Sequence, residues 1–173
     1  MKKTLLIFTT FLCLSFQTAE VVNYKMVTLF VYNFARNIQW PDENNNSGVF
    51  QLGVWGDTPF KEEASNYLAT KKVNDQTILV RSLHSMKDVN TCQMVFVAPE
   101  KMGDIRQLAA ISANSSVLLV AMQDFQKGTS SPGISLFLDN QDNKMKFQIN
   151  ESVIKNKHIK VSKALMDLSY HGN

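Results

Sequence analysis

The chain has 173 residues, 45% of them hydrophobic and 19% charged, so it can bury the core of one ordinary domain and is not a disordered chain. Lys and Arg total 18 against 15 Asp and Glu, a formal charge of +3, and these cations are scattered along the sequence. Because a nucleic-acid-binding surface requires clustered Lys and Arg, the composition excludes a dedicated DNA or RNA binder.

Residues 1–19 have the layout of an export signal. Lys2 and Lys3 form a basic start, an apolar stretch runs from Leu5 to Phe16, and small residues allow cleavage after Ala19. This stretch is shorter than the about 20 apolar residues of a membrane-spanning helix, and a buried first helix is the alternative. We therefore expect an exported mature chain, 20–173, that does not span the membrane after signal removal. Without the two signal lysines, its 16 cations stand against 15 acids, a net charge of +1.

The mature chain alternates helical and strand patterns. Apolar residues recur every three or four positions in the helical segments and almost continuously in the strand segments, as in strands buried on both faces. This alternation predicts an α/β fold, a single three-layer domain with a mainly parallel sheet flanked by helices. The predicted elements are a helix over 20–39 ended by Trp40-Pro41, a strand over 50–56, a helix after Pro59, a strand over 77–83, a helical turn over 85–90, a strand over 94–98, a helix over 99–113 and a strand over 117–121.

The pattern changes near the C-terminus. Two alternating segments, 133–138 and 144–149, flank a loop of turn-forming residues, which predicts an antiparallel hairpin at one edge of the sheet. A final helix is predicted from about Glu151 to Ser169, with a break near 156–158 left open and Asn150 as its cap. Its expected buried side chains are Val153, Ile154, Val161, Ala164, Leu165 and Leu168.

Cys92 is the only cysteine of the mature chain, because Cys13 lies within the export signal. No intramolecular disulfide is therefore expected. The residue opens an apolar run from Cys92 to Ala98 that is typical of a core strand. We expect a buried thiol that packs as a small hydrophobic group, the alternative being a reactive thiol.

The candidate site lies where the strand over 50–56 passes into the next helix. In an open parallel sheet, ligands bind at the carboxyl ends of strands, near the point where the strand order reverses. If this strand is central, Trp55, Asp57, Thr58 and Phe60 lie at that rim. N–H groups at the helix start could hold an anion, although the segment is neither a P-loop nor a dinucleotide fingerprint. The structural alternative is a turn capped by Thr58 or Asp57.

Aromatic residues are the second kind of candidate contact. Trp40, Trp55, Phe60 and Phe125 are candidates for an interface, against the alternative that each belongs to the core.

No catalytic or metal-ligating set is found in the sequence. There is no Gly-x-Ser-x-Gly motif, and His84, His158 and His171 do not form a pair at helical spacing. Asp139 and Asp142 lack the pattern of a calcium loop. We therefore expect no enzymatic activity, no metal and no cofactor.

Five segments resemble, in order, the motifs of the YfiR family. They are Tyr32-Asn-Phe-Ala-Arg-Asn-Ile-Gln-Trp-Pro41, Leu52-Gly-Val-Trp-Gly-Asp-Thr-Pro-Phe60, Val73-Asn-Asp-Gln-Thr-Ile-Leu-Val80, Cys92-Gln-Met-Val-Phe-Val97, and Phe147-Gln-Ile-Asn150 followed by Ile159-Lys-Val-Ser-Lys-Ala-Leu165. Together they cover nearly all of the mature chain, and their order is more specific than any single motif. Two features depart from the family: Cys92 has no disulfide partner, and Asp75 replaces the usual glycine of a turn.

The resemblance implies a YfiR-like domain over 20–173 that is periplasmic and has no enzymatic activity. The best-known relative represses a membrane-bound diguanylate cyclase by binding its periplasmic sensor domain, which lowers cyclic-di-GMP and biofilm formation. Other relatives occur with histidine kinases, so the implied partner is the periplasmic domain of a membrane-bound cyclase or kinase, and a homodimer is compatible with the family. The alternative hypothesis is a periplasmic small-molecule binding module that uses the rim from Trp55 to Phe60.

Overall fold

The computed structural model describes residues 22–41, 48–123, 131–139 and 141–171. The predicted export signal and Phe125 lie outside these ranges. The helices are α1 (Tyr24–Arg36), α2 (Phe60–Leu68), α3 (Ile105–Ile111), α4 (Glu151–Asn156) and α5 (Lys163–Leu168), with 3₁₀ turns at Met86–Thr91 and Pro99–Asp104. The strands are β1 (Ile38–Gln39), β2 (Val49–Trp55), β3 (Lys72–Val73), β4 (Gln76–Leu83), β5 (Met94–Val97), β6 (Leu118–Met122), β7 (Ile134–Asp139), β8 (Lys144–Ile149) and β9 (Lys160–Val161).

A seven-stranded sheet in the order β3-β4-β2-β5-β6-β7-β8 forms the middle layer. Adjacent strands from β4 to β7 are parallel, while β3 and β8 pair antiparallel at the two edges. The predicted mainly parallel sheet, with an antiparallel hairpin at one edge, is therefore confirmed. The chain passes from β2 to β4 on one side and then crosses to β5 on the other side, so the strand order reverses at β2.

Helices cover both faces of this sheet, which confirms the three predicted layers. On one face, α1 and α2 pack over a core that contains Phe34, Phe50, Phe60 and Phe96. On the other face, α3 and the 3₁₀ turns cover a smaller core around Leu108. Strands between two apolar layers bury both of their faces, which explains why β5 is apolar at every position.

The first helix is shorter than predicted. It begins at an Asn23 cap, whose side chain accepts a hydrogen bond from the Met26 N–H, and it ends at Arg36. Ile38 and Gln39 leave the helix and pair with Val161 and Lys160 to form a second, two-stranded sheet. That pairing joins distant parts of the chain, so the local periodicity that predicted a helix to residue 39 could not reveal it.

The C-terminal segment is broken within 156–158, where the sequence left a break open, and it forms two short helices. Asn150 caps α4 as predicted, since its side chain accepts a hydrogen bond from the Val153 N–H, and the chain breaks at His158, which has a φ of 55°. Strand β9 then separates α4 from α5. The expected burial is correct for Val153, Ile154 and Leu165, but it is wrong for two α5 residues. Ala164 is exposed and Leu168 is 73% exposed, because α5 lies at the surface instead of continuing α4.

No helix within the described residues is both long enough and apolar enough to cross a membrane.

Candidate functional site

The candidate rim lies at the carboxyl end of β2, where the strand order reverses, as the sequence predicts if this strand is central. The chain leaves β2 at Gly56, which has a φ of +116°. A Cβ at this position would lie 2.5 Å from Glu100 Oε1 and 2.6 Å from the Ala98 Cβ. The turn thus needs glycine for its backbone conformation and for the close approach of the segment that follows β5.

The crevice at this reversal is occupied by the protein's own carboxylate. Glu100 follows β5, and its Oε1 accepts a hydrogen bond of 3.0 Å from the Asp57 N–H. Two N–H groups at the start of α2 also have internal partners: Thr58 Oγ1 accepts from the Phe60 N–H at 3.3 Å, and the Thr58 carbonyl accepts from the Lys61 N–H at 3.2 Å. The Asp57, Phe60 and Lys61 N–H groups are therefore already paired.

Trp55 also connects the two segments that meet where the strand order reverses. Its Nε1–H donates a hydrogen bond of 2.9 Å to Asp104 Oδ2, which joins the end of β2 to the 3₁₀ turn after β5. The indole packs against the smaller core, as Met86 and Met102 do, and keeps part of its surface in solvent. Asp57 is exposed beside it, whereas Thr58 is buried. Trp55 and Asp57 are therefore the predicted rim residues that the solvent reaches.

The other two predicted contact residues lie in the core. Phe60 is fully buried and stacks on Phe96, with ring centroids 4.0 Å apart. Trp40 is also buried; its Nε1–H donates to the Gln93 carbonyl at 3.0 Å, and its ring packs edge-on against Phe50. Both side chains support the sheet from within, which is the alternative considered for aromatic residues in the sequence.

Glu100 and Asp104 complete the rim, and the sequence analysis did not single them out. Both follow β5 within the 3₁₀ turn Pro99–Asp104. The same reversal rule that pointed to Trp55 applies to the neighbouring strand, so acidic residues directly after β5 were the available signal. With Asp57 and the first-turn residues Glu62 and Glu63 of α2, they outnumber the two lysines of the same segments, Lys61 and Lys101, so this edge of the sheet has a net negative charge.

Cys92 is buried, as predicted, and is 4% exposed. Its Sγ lies 3.8 Å from Arg81 Nη2, and it packs beneath Gly53, where an added Cβ would lie 2.9 Å from the sulfur. In this conformation the thiol is not accessible for a disulfide between two copies of the chain.

A second concave surface, of about 720 Å³, lies between the β7–β8 hairpin, α1 and the C-terminal segment. Exposed Leu168 and Tyr170 line it together with Phe30. At its polar end the Lys146 amino group donates to Asp139, and this hydrogen bond lowers the pKa of the Asp139 carboxyl. This C-terminal groove mixes apolar and charged side chains, as protein interfaces do.

Within the described ranges, no three His, Cys, Asp or Glu side chains are grouped so that they could hold a metal ion.

The geometry defines a class of protein: a doubly wound α/β domain in which the protein's own Glu100 and Trp55 side chains bridge the strand-order reversal, with an open concave surface of about 670 Å³ beside it at the start of α2. Over residues 24–170 the sequence matches the family described as YfiR/HmsC-like, and the chain belongs to this family. It is a periplasmic family of regulators of diguanylate cyclase signalling and not one of enzymes. No curated protein matches the chain at a significant level.

Proposed function

We propose that this chain is a periplasmic regulator without catalytic activity that binds the periplasmic domain of a membrane-bound diguanylate cyclase or histidine kinase and changes its output. The observation that carries the proposal is the family match over residues 24–170, a range that includes every helix and strand of the described residues. The apolar stretch between Leu5 and Phe16, read as an export signal, supports a periplasmic location.

The filled crevice supports a macromolecular partner over a small ligand. A solute at the rim would have to displace Glu100 from the Asp57 N–H, and an anion would also meet the acidic residues at the start of α2. Trp55 and Asp57 instead expose an aromatic and a charged side chain side by side at the edge of the sheet. Partly exposed tryptophans are common anchor residues of protein–protein interfaces.

Regulation by such a domain requires that it bind one conformation of its partner more tightly than the other. A ligand can shift an equilibrium only by its difference in affinity for the two states, and about 5.5 kcal/mol moves a population from 1:99 to 99:1. The densely packed core beneath the rim, with Phe60 stacked on Phe96, keeps the surface in one shape, so binding energy is not spent on ordering it.

The test is crosslinking in intact cells followed by purification of the tagged chain from membranes. We expect one membrane signalling protein to be recovered, and Asp57→Lys to weaken its recovery if the rim makes the contact. Asn66→Lys, an exposed change elsewhere on α2, is the matched control for adding a lysine. Recovery of no membrane partner, together with a large thermal shift by a small solute that Trp55→Ala abolishes, would favour the small-molecule alternative.

A further inference from the structure

The outer edge of β4 is an open sheet edge. Strand β3 pairs only with the first two residues of β4, Gln76 and Thr77, whereas β2 pairs with the other side of β4 from Thr77 to Leu83. The Thr77 N–H donates towards β2, to the Gly48 carbonyl, so the peptide groups of the alternate residues Val80 and Ser82 face outward. No hydrogen bond joins these outward groups to another described residue.

The side chains along this edge are of the kind that accepts another strand. Leu79 is 48% exposed and Val80 is half-buried, and residues 79–83 contain no proline. Their one charged side chain, Arg81, is engaged with the 3₁₀ turn Met86–Thr91, because its guanidinium donates to the Asp88 carbonyl and to Thr91 Oγ1. Natural proteins usually protect such an edge with charges, bulges or a covering segment. The opposite edge shows that protection: on β8, the Ile149 N–H donates to Ser169 Oγ and the Phe147 carbonyl accepts from the Tyr170 N–H.

A basic and aromatic patch borders the start of the open edge. It consists of Tyr32 and Arg36 on α1, Tyr67 on α2, and Lys71 and Lys72, the last of which pairs with Thr77. The Arg36 guanidinium lies 5.6 Å from the Tyr32 ring centroid, and the Lys71 amino group lies 5.4 Å from that of Tyr67. The two tyrosine rings pack edge to face at 6.2 Å.

Two cations of this patch, Arg36 and Lys71, lie over aromatic rings, and Lys72 is exposed. None of them forms an ion pair with an acidic side chain among the described residues, whose salt bridges lie in the β7–β8 hairpin and α5. A side chain that already lies over an aromatic ring has fewer conformations to lose on binding. Its pairing with a carboxylate of a partner therefore costs less conformational entropy than the pairing of a free lysine or arginine.

We propose that the partner binds by adding an extended segment to the open edge of β4, with carboxylate side chains of that segment over Arg36, Lys71 and Lys72. This inference rests on the proposed function, and it specifies which surface of the chain binds the partner and which kind of segment the partner supplies. Backbone hydrogen bonds to Val80 and Ser82 supply the pairing, Leu79 supplies an apolar contact, and the patch selects an acidic segment. Since Leu83 lies opposite Trp55 in the sheet register, the added strand runs from the basic patch towards the rim.

The experiment places a photo-crosslinking amino acid at position 79 of the full chain in intact cells and maps the crosslinked peptide by mass spectrometry. The same amino acid at exposed position 155, on α4, is the control. We expect position 79 to react with a segment of the membrane partner's periplasmic domain that carries an excess of Asp and Glu, and position 155 not to react with it.

Two variants separate the strand pairing from the charge. Ser82→Pro removes an outward N–H without removing a bond to β2, and we expect it to reduce the crosslink at least tenfold. The double variant Lys71→Glu/Lys72→Glu reverses two charges of the patch, removes the contact of Lys71 with the Tyr67 ring and should reduce the crosslink similarly. Lys substitutions of the acids in the captured segment should restore it. Far-UV circular dichroism of each purified variant establishes that it is folded.

A crosslink to a neutral or basic segment, to a second copy of the chain or to lipid would overturn the inference, as would no crosslink at position 79. If the chain is recovered with a membrane partner but position 79 does not touch it, the inference fails and the proposed function stands. If no membrane partner is recovered by either method, the proposed function itself fails.

Discussion

The turn between β3 and β4 holds two residues in the left-handed region of backbone space. Asn74 has a φ of 49° and Asp75 a φ of 64°, which is the conformation of a two-residue hairpin turn with both φ angles positive. Asparagine and glycine favour this turn most, and Asp75 is the residue that departs from the family pattern. Asp tolerates the conformation because its short polar side chain bonds locally, but it retains the strain of a Cβ.

Asp75→Gly should therefore stabilise the protein. We expect the free energy of unfolding to rise by about 1 kcal/mol, because glycine has no Cβ to clash in the left-handed region. Asp75→Ala is the matched control and should lower the stability, since it keeps the Cβ and loses the polar side chain. Urea denaturation measures both. Equal stability of the glycine and alanine variants would contradict this account of the turn.

Lys157 is a lysine buried between α3 and α4. Its amino group donates to the Ser112 carbonyl, at the C-terminal end of α3, and to the Ser115 carbonyl at 3.2 Å. Burial disfavours the charged form and lowers the pKa of Lys157 from 10.5 to about 8. The folded protein consequently binds this proton less tightly than the unfolded chain does.

The stability contribution of Lys157 should depend on alkaline pH. Between about pH 8 and 10.5 the unfolded chain holds more protons than the folded protein, so the free energy of unfolding rises with pH across this window. We expect the difference between wild type and Lys157→Met to shift in favour of wild type from pH 8 to 10.5 and to stay constant from pH 6 to 7. Lys155→Met, on the exposed side of α4, controls for removal of one lysine. A difference independent of pH throughout would show that burial does not perturb this group.

At the level of single residues, the sequence predicted the hydrogen-bonding roles of polar side chains better than the burial of aromatic ones. Asn150 and Thr58 act as polar groups at helix starts, and Cys92 is buried. Trp40 and Phe60, in contrast, were candidates for surface contact and lie in the core. Aromatic residues suit cores and interfaces equally well, and only the packing of α1 and α2 over the sheet decides between them.

At the level of elements, the C-terminal segment has a role that its sequence does not show. Ser169 and Tyr170 cover the edge of β8 through the Ile149 N–H and the Phe147 carbonyl, and the Tyr170 ring packs edge-on against Phe137. The local pattern predicted only the end of a helix here. The residues to which Ser169 and Tyr170 bond lie in the preceding hairpin, so the apolar periodicity of the C-terminal segment could not predict these hydrogen bonds.

Truncation after Leu168 should expose this edge. We expect a loss of about 1–3 kcal/mol in the free energy of unfolding, because two backbone groups of β8 lose their partners, and we expect faster amide exchange at Ile149. Truncation after Tyr170 keeps both hydrogen bonds and is the matched control. Concentration-dependent association of the shorter form, measured by light scattering, would follow from the open edge. Unchanged exchange at Ile149 would contradict the covering role.

Elements with a strong local signal were predicted closely, and those that depend on distant pairing were not. The parallel strands and the β7–β8 hairpin follow from apolar runs, alternation and turn residues. Strands β1 and β9 are two residues each and exist because they pair with each other, so the sequence assigned both to helices.

For the molecule as a whole, the sequence predicted the layers, and it located the rim on the condition that β2 is central, which the strand order meets. It could not predict that Glu100 fills the crevice, because that contact depends on how closely the turn after β5 approaches Gly56. Because Glu100 occupies the crevice, we expect contacts with a partner at three surfaces instead: the acidic rim, the open edge of β4 and the C-terminal groove. The basic patch and the acidic rim lie near opposite ends of that edge, which gives the surface a charge polarity suited to one orientation of a partner.

The central claim is that the exported chain regulates a membrane signalling protein by binding it. Its most direct test is the cellular cyclic-di-GMP level after deletion of the gene, with the full chain or a chain lacking residues 2–19 returned to the cells. We predict that deletion changes the level, that the full chain restores it, and that the chain without the export signal does not. An unchanged level on deletion together with recovery of no membrane signalling protein by crosslinking, or equal restoration by the form without the signal, would contradict the account.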